Sequence, residues 1–161
     1  MVDDQAIMDA VALLVGGTVS PTKPHFYSGF NVGDATGVAG LKGCWSTVPS
    51  SGFGELPMAM VMAGPFIAKI GQPEEEVERF RLLVAVAPVD SESDMPSLIA
   101  YKKILQQLFR DHMQLGLAYG EVLQGFIVAG TPGNYIIGGT EYYAWDFTLE
   151  VTREINYTYT S

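Results

Sequence analysis

The sequence has a single cysteine and no long uninterrupted apolar run. Because Cys44 has no second cysteine to pair with, an intrachain disulfide and a multi-cysteine metal site are both excluded. Apolar residues make up 48% of the 161 positions, yet Gly64 and Pro65 interrupt the longest apolar run, Met58 to Ala68. We therefore expect no membrane-spanning segment.

Positive charge is also scarce. Nine Lys and Arg stand against eighteen Asp and Glu, which leaves a formal net charge of -9. Such a surface repels phosphate, so tight binding to a nucleic-acid backbone is not expected. Near the start, Asp3 and Asp4 occupy positions where a secretory signal would carry Lys or Arg, and we expect no targeting segment.

The residues that usually perform catalysis form no recognisable motif. The two histidines, His25 and His112, are far apart in the chain, and no Gly-x-Ser-x-Gly turn is present. The segment Gly37 to Gly43 lacks the Gly-Lys-Ser/Thr ending of a phosphate-binding loop. The acidic run Glu74 to Glu76 has no further ligand at metal-binding spacing. We therefore predict a protein that is not an enzyme, with no cofactor and no metal site.

The clearest pattern that is present lies between Tyr142 and Ser161. From Trp145 to Tyr159 the odd-numbered positions are apolar or aromatic, interrupted only by Arg153, and the even-numbered positions are polar. Since side chains alternate between the two faces of a sheet, the pattern predicts one long strand with an apolar face. A strand of roughly fifteen or more residues exceeds the usual three to ten. Its far end is therefore expected to reach past one small core, towards a neighbouring subunit.

Two helices are predicted. The first is short, is capped by Asp3 or Asp4, and ends at Gly16-Gly17. The second and longer one runs from about Pro96 to Leu115. Its apolar positions recur at the spacing of one helix face, and they are Leu98, Tyr101, Leu105, Leu108, Phe109 and His112, with Ile104 beside them.

Two further strands are predicted before the long helix. The first covers Leu56 to Ala63, and Phe66 to Gly71 continues it after a bulge at Gly64-Pro65. A polar turn over Gln72 to Glu75 leads to the second, Val77 to Val89. The apolar even-numbered residues of that strand, Phe80, Leu82, Val84 and Val86, predict its core face.

After the long helix we predict a strand over Glu121 to Ala129 and a short strand over Tyr135 to Ile137. A turn at Thr131 to Asn134 separates the two. Earlier in the chain, a Gly-rich segment at about 18–55 shows little periodicity, but its aromatic residues argue against simple disorder.

These elements predict one α+β domain over residues 1–161 that contains the Gly-rich loop at about 18–55. Its sheet is mainly antiparallel, with a long strand at the C-terminus. One long helix and one short N-terminal helix pack on one face of that sheet.

The order and spacing of these elements resemble the tail terminator proteins of long-tailed, lambda-like bacteriophages. The resemblance rests on the strand Leu56-Pro57-Met58-Ala59-Met60-Val61, the charged hairpin and strand of Gln72 to Val89, and the helix Pro96 to Leu115. The last segment that carries the resemblance is the strand Thr148-Leu149-Glu150-Val151-Thr152. These motifs cover most of the chain and are patterns of hydrophobicity, with no catalytic signature among them.

The resemblance implies a structural virion protein at the neck end of the tail, assembled in the host cytoplasm. Such a protein forms a homohexameric ring on the tail tube protein, ends tube polymerisation and meets the head–tail connector protein. DNA passes through its lumen without specific binding, and the acidic charge balance agrees with such a lumen. The candidate subunit-interface residues are Phe66, Ile67, Arg79, Arg81, Tyr157 and Tyr159.

Two alternatives remain open at this stage. Another head–tail joining (neck) subunit or a tail-tube subunit has a similar architecture, but a tube subunit polymerises into long rods. The second alternative is a small cytoplasmic ligand-binding or enzymatic domain whose pocket is closed by the Gly-rich loop. That reading predicts a stable monomer or dimer with a defined cavity.

Overall fold

The protein has an α+β fold in which most of the structure is sheet. The computed structural model describes residues 3–16, 41, 43–46, 52–54, 56–69, 74–89, 95–117, 122 and 124–155. In chain order the elements are α1 (Asp4–Gly16), β1 (Cys44–Trp45), β2 (Met58–Lys69), β3 (Glu74–Pro88), α2 (Met95–Asp111), β4 (Gln124–Ile137) and β5 (Thr140–Ile155).

The five strands form one mixed sheet in the order β1-β2-β3-β5-β4. The short strand β1 pairs parallel with β2, and the other three pairings are antiparallel. β3 and β5 form the centre and stay paired from Glu74 opposite Ile155 to Pro88 opposite Tyr142. The predicted strand Tyr142 to Ser161 overlaps β5, and its residues after Ile155 lie outside the described part of the chain.

Both helices pack on one face of the sheet, which we call the inner face. The prediction of the core face of β3 is confirmed, because Phe80, Leu82, Val84 and Val86 are all buried there. They pack with apolar residues of α1, α2 and β5, which include Ile7, Val11, Tyr101, Leu105, Leu108, Phe109, Phe147, Leu149 and Val151.

The opposite, outer face is also buried over part of its length, which the sequence analysis did not predict. From Leu83 to Ala87 the odd-numbered residues of β3 are buried as well. This second cluster comprises Phe53, Met58, Met60, Leu83, Ala85, Ile137, Tyr142 and Ala144. The alternating methionines of β2 are therefore packed in a core, with Phe53 covering the cluster from outside the sheet.

The ends of the helices follow from local chemistry. The Asp3 carboxylate accepts a hydrogen bond from the backbone N–H of Ala6 at 2.8 Å, so Asp3 is the cap of α1. α2 ends at Asp111, before the predicted Leu115, and Leu115 and Gly116 adopt positive φ angles of 57° and 72° in the turn that follows. Neither described helix combines the length and the apolar character that crossing a membrane requires.

The predicted turn at Thr131 to Asn134 is wrong. β4 continues through these residues to Ile137 and stays paired with β5. Pro132 is tolerated because β4 is an edge strand, where a residue without an N–H can direct its nitrogen away from the ladder. The short separate strand Tyr135 to Ile137 is therefore the end of β4, which begins at Gln124 instead of Glu121.

The first half of the sheet needs two further corrections. Glu74 and Glu75 belong to β3 and pair with β5, so the predicted polar turn does not include them. The Gly-rich segment contains β1, whose residues Cys44 and Trp45 pair with β2. The predicted bulge in β2 is confirmed, since the register shifts between Ala63 and Phe66.

Candidate subunit interface

The structure describes the side chains of only two of the six candidate interface residues. Arg79 and Arg81 lie on the outer face of β3, on the side opposite Phe80 and Leu82. Phe66 and Ile67 lie on β2, where the register places them opposite Glu78 and Val77, but nothing is described of their side chains. Tyr157 and Tyr159 lie outside the described residues.

The two arginines form ion pairs with β5 across the outer face. Arg79 lies directly opposite Glu150, and its Nε atom is 3.4 Å from Oε2 of that carboxylate. Arg81 forms a bidentate ion pair with Asp146, with Nε 3.2 Å from Oδ1 and Nη2 2.8 Å from Oδ2. This hydrogen bonding to Asp146 raises the pKa of Arg81 above its ordinary value, so the guanidinium stays charged. Because all four side chains are partly exposed, each pair contributes only about 0–1 kcal/mol to the stability of the chain.

The edge strand β4 is the most exposed of the described strands. On β4, the run from Val128 to Pro132 is exposed on both faces, and Val128 and Ile136 are 54% and 74% exposed. Among the described strands, none pairs with the outer side of β4. At the other edge, β1 pairs with β2 only at Ala59 and Met60. The rest of β2, from Val61 to Lys69, has no described strand on that side.

Two shallow grooves lie on the helical side of the molecule. One, of about 320 Å³, lies between α2 and β4 and is lined by Lys102, Gln106, Val128, Pro132 and Trp145, among others. The second, of about 390 Å³, separates α1 from the turn after α2 and is lined mainly by Leu13, Leu14, Leu115 and Leu117. Neither groove gathers a set of acidic, basic and nucleophilic groups of the kind that performs acid–base or covalent catalysis.

The described residues contain no reactive constellation elsewhere either. Burial raises the pKa of the Cys44 thiol, so this cysteine stays protonated and is a poor nucleophile. Within the same residues, no three His, Cys, Asp or Glu side chains come together so as to hold a metal ion.

The structure does bring together a buried charge cluster that the sequence analysis did not assemble. Glu78 on β3 and Arg153 on β5 are only 3% and 7% exposed, and Arg153 donates a hydrogen bond from Nη2 to Glu78 Oε1. Each residue left a signal in the sequence. Glu78 precedes the apolar even positions of β3 in the same register, and Arg153 interrupts the apolar odd positions of β5. The sequence analysis did not predict that β3 pairs with β5, and this pairing brings Glu78 and Arg153 together.

Comparison with known proteins does not extend these observations. No protein-family model matches the chain, and no curated protein matches it.

Proposed function

We propose that this chain is a ring-forming structural subunit of a bacteriophage tail, and specifically a tail terminator. The observation that supports the proposal best is that one sheet presents two different edges with no described strand beyond them. A closed ring with cyclic symmetry needs two unlike surfaces on each subunit, so that each copy binds the next head to tail. The outer side of β4 and the Val61–Lys69 side of β2 are two such surfaces.

The directions of the strands suit such a contact. From β2 through β3 and β5 to β4, every neighbour is antiparallel, so β4 runs opposite to β2. When β4 of one copy lies beside β2 of the next in a continuing sheet, the two strands are therefore antiparallel. Antiparallel neighbours form straight hydrogen bonds and are slightly more stable per residue than parallel ones.

The proposal also includes the long C-terminal strand, the placement of the two helices and the candidate interface residues. In it, the C-terminal strand is longer than one core requires and carries Tyr157 and Tyr159 to the adjacent subunit. The long helix and the short N-terminal helix stay on one face and leave both edges free. Phe66 and Ile67 lie on the β2 edge, and Arg79 and Arg81 on the outer face beside it.

The charge of the chain agrees with a passage for DNA. Six copies, each with a formal net charge of -9, line a lumen from which phosphate is repelled, so DNA slides through without adhering. The partners in this proposal are the tail tube protein on one side of the ring and the head–tail connector protein on the other. The ring belongs to the virion, at the neck end of the tail, and forms in the host cytoplasm.

The mass of the purified protein tests the proposal directly. Light scattering over a range of concentrations is expected to give a closed species near six times 17.4 kDa. A monomer that forms this ring only when tail tubes are added also supports a terminator. Long rods identify a tube subunit instead. A monomer or dimer that ignores tail tubes contradicts the whole structural proposal and favours the ligand-binding domain.

A further inference from the structure

The buried charge cluster joins the start of α1 to the centre of the sheet. Arg153 on β5 donates from Nη2 to Glu78 Oε1 at 2.5 Å and to Asp4 Oδ1 at 3.4 Å. The Glu76 carboxylate lies 3.9 Å from the same nitrogen. Asp4 is the first residue of α1, so this guanidinium links the helix to β3 and β5 at once.

The cluster holds more negative than positive groups. Three carboxylates, those of Asp4, Glu76 and Glu78, surround the single guanidinium of Arg153. In the described part of the chain they are also the only titratable groups that act on Glu78. If all three carboxylates are ionised, the described groups of the cluster carry two negative charges in excess, and the cost falls on Glu78, whose side chain is only 5% exposed.

A proton on Glu78 removes half of that excess. Its second oxygen, Oε2, is buried and has no hydrogen-bond partner among the described atoms. An ionised carboxylate can only accept hydrogen bonds, whereas a neutral carboxyl group can also donate one. The candidate acceptors are the carboxylates of Asp4 and Glu76, which lie with Glu78 around the same Arg153 Nη2 atom. Burial first, and then these two hydrogen bonds, raise the pKa of Glu78 to about 8, against the opposing charge of Arg153.

We propose that Glu78 holds a proton in the folded protein at neutral pH and that losing this proton releases the first turn of α1 from the sheet. When Oε2 transfers its proton to water, the electron pair stays on the oxygen and the donor to Asp4 or Glu76 disappears. The new negative charge then repels Asp4, whose side chain is 55% exposed and can turn into solvent. The rest of α1 stays in place, because Ile7 and Val11 are fully buried in the core.

The proposal predicts that the stability of the folded chain decreases as the pH rises. The pKa of Glu78 is raised from 4.5 to about 8 on folding, so the folded state binds the proton more tightly than the unfolded state does. The stabilisation is complete below pH 4.5, falls as the pH rises, and is lost above about pH 8. The inference concerns the packing of α1 within one chain and holds whether or not the chain forms a ring.

The test compares the wild type with Glu78→Gln, whose amide donates a hydrogen bond at every pH. Between pH 6 and pH 9 we expect the wild-type Tm to fall by about 3 °C or more, while the Glu78→Gln value stays level. Carbon-detected NMR should show the ¹³Cα shifts of Gln5 and Ala6 moving towards coil values in the wild type alone. Glu150→Gln is the matched control, since it removes a carboxylate of the outer face, and it should keep the wild-type pH profile.

Several outcomes overturn the proposal. They are a level wild-type profile, a Glu78→Gln variant that follows the wild-type curve, or Gln5 and Ala6 shifts that do not change with pH. If Glu78→Gln does not fold, Asp4→Asn takes its place. Removing that negative charge should move the transition to lower pH, and an unchanged midpoint contradicts the cluster. Light scattering at each pH separates these effects from any change in the oligomeric state.

Discussion

At the scale of single residues, one buried hydroxyl attaches Phe53 to the outer face of the sheet. The Tyr142 hydroxyl accepts a hydrogen bond from the Phe53 N–H at 2.9 Å and faces the Phe53 carbonyl oxygen at 3.4 Å. Their rings also pack against each other, with centroids 5.6 Å apart. The second cluster therefore depends on a polar contact between residues that are 89 positions apart.

Replacing Tyr142 with Phe should reveal the contribution of this hydroxyl. The ring contact survives, but the buried N–H of Phe53 loses its partner, which costs about 1–3 kcal/mol of unfolding free energy. Urea unfolding followed by tryptophan fluorescence measures the loss. Tyr135→Phe is the control, because the exposed Tyr135 hydroxyl donates to the Thr131 carbonyl at 3.1 Å and water can replace that bond. Equal losses in the two variants would show that burial of the hydrogen bond is not what matters.

Residue-scale prediction succeeded where a single side chain carries its own signal. The cap at Asp3 and the buried even positions of β3 could both be read from spacing. The ion pairs of Arg79 and Arg81 could not be predicted, because each depends on which residue of β5 lies across from it. That register is fixed by contacts between strands some 70 residues apart in the chain, and local spacing carries no information about them.

At the scale of elements, the bulge in β2 brings two backbones unusually close. A Cβ atom placed on Gly64 would lie 2.5 Å from the backbone carbonyl oxygen of Arg79, on the neighbouring strand β3. That oxygen is part of the β3 backbone, so it cannot yield without moving the strand. The glycine at the bulge is therefore required by the distance between the two strands.

Gly64→Ala should accordingly destabilise the sheet by about 1–3 kcal/mol, the usual cost of forcing an extra methyl group into a packed site. The shift of the urea midpoint measures it. Gly54→Ala is the control, since the described structure has no atom within 4 Å of the added Cβ. We expect a change of about 0.5 kcal/mol or less for the control. Similar midpoints for both variants would mean that the bulge relaxes without cost.

The elements that were predicted wrongly share one physical cause. Pro132, Gly133 and Asn134, and the acidic residues Glu74 and Glu75, have low strand propensity, yet all of them lie in strands. Each of these segments is paired with β5, and the ladder outweighs the local preference of a few residues. The same holds for β1, two residues long, which exists only through its pairing with β2.

At the scale of the whole molecule, the proposed ring places the contacts between copies at the two edges of the sheet. Val128 and Ile136 project from β4 into solvent in the single chain. Replacing both with Lys leaves the inner core untouched, but charged side chains on an edge strand oppose pairing with another strand. If the ring forms through this edge, the double variant should remain monomeric at concentrations where the wild type is closed, while its Tm as a monomer is unchanged.

Met113→Lys provides the comparison for that experiment. Met113 is 47% exposed and lies on the turn after α2, outside both edge strands. Light scattering should give a wild-type mass for this variant and a monomer mass for the β4 variant. A β4 variant that still forms the ring excludes the edge as the contact, and loss of the ring in both variants points to a general effect of added charge.

The position of β5 at the centre of the sheet also sets the order in which the molecule can be completed during synthesis. β2 and β3 leave the ribosome first and can pair as a hairpin, but the remaining side of β3 waits for β5, the last of the five strands in the chain. β4 is synthesised before β5 and has no partner until β5 appears. An unfinished chain therefore displays no ordered β4 edge, and a nascent chain cannot join an assembly through it.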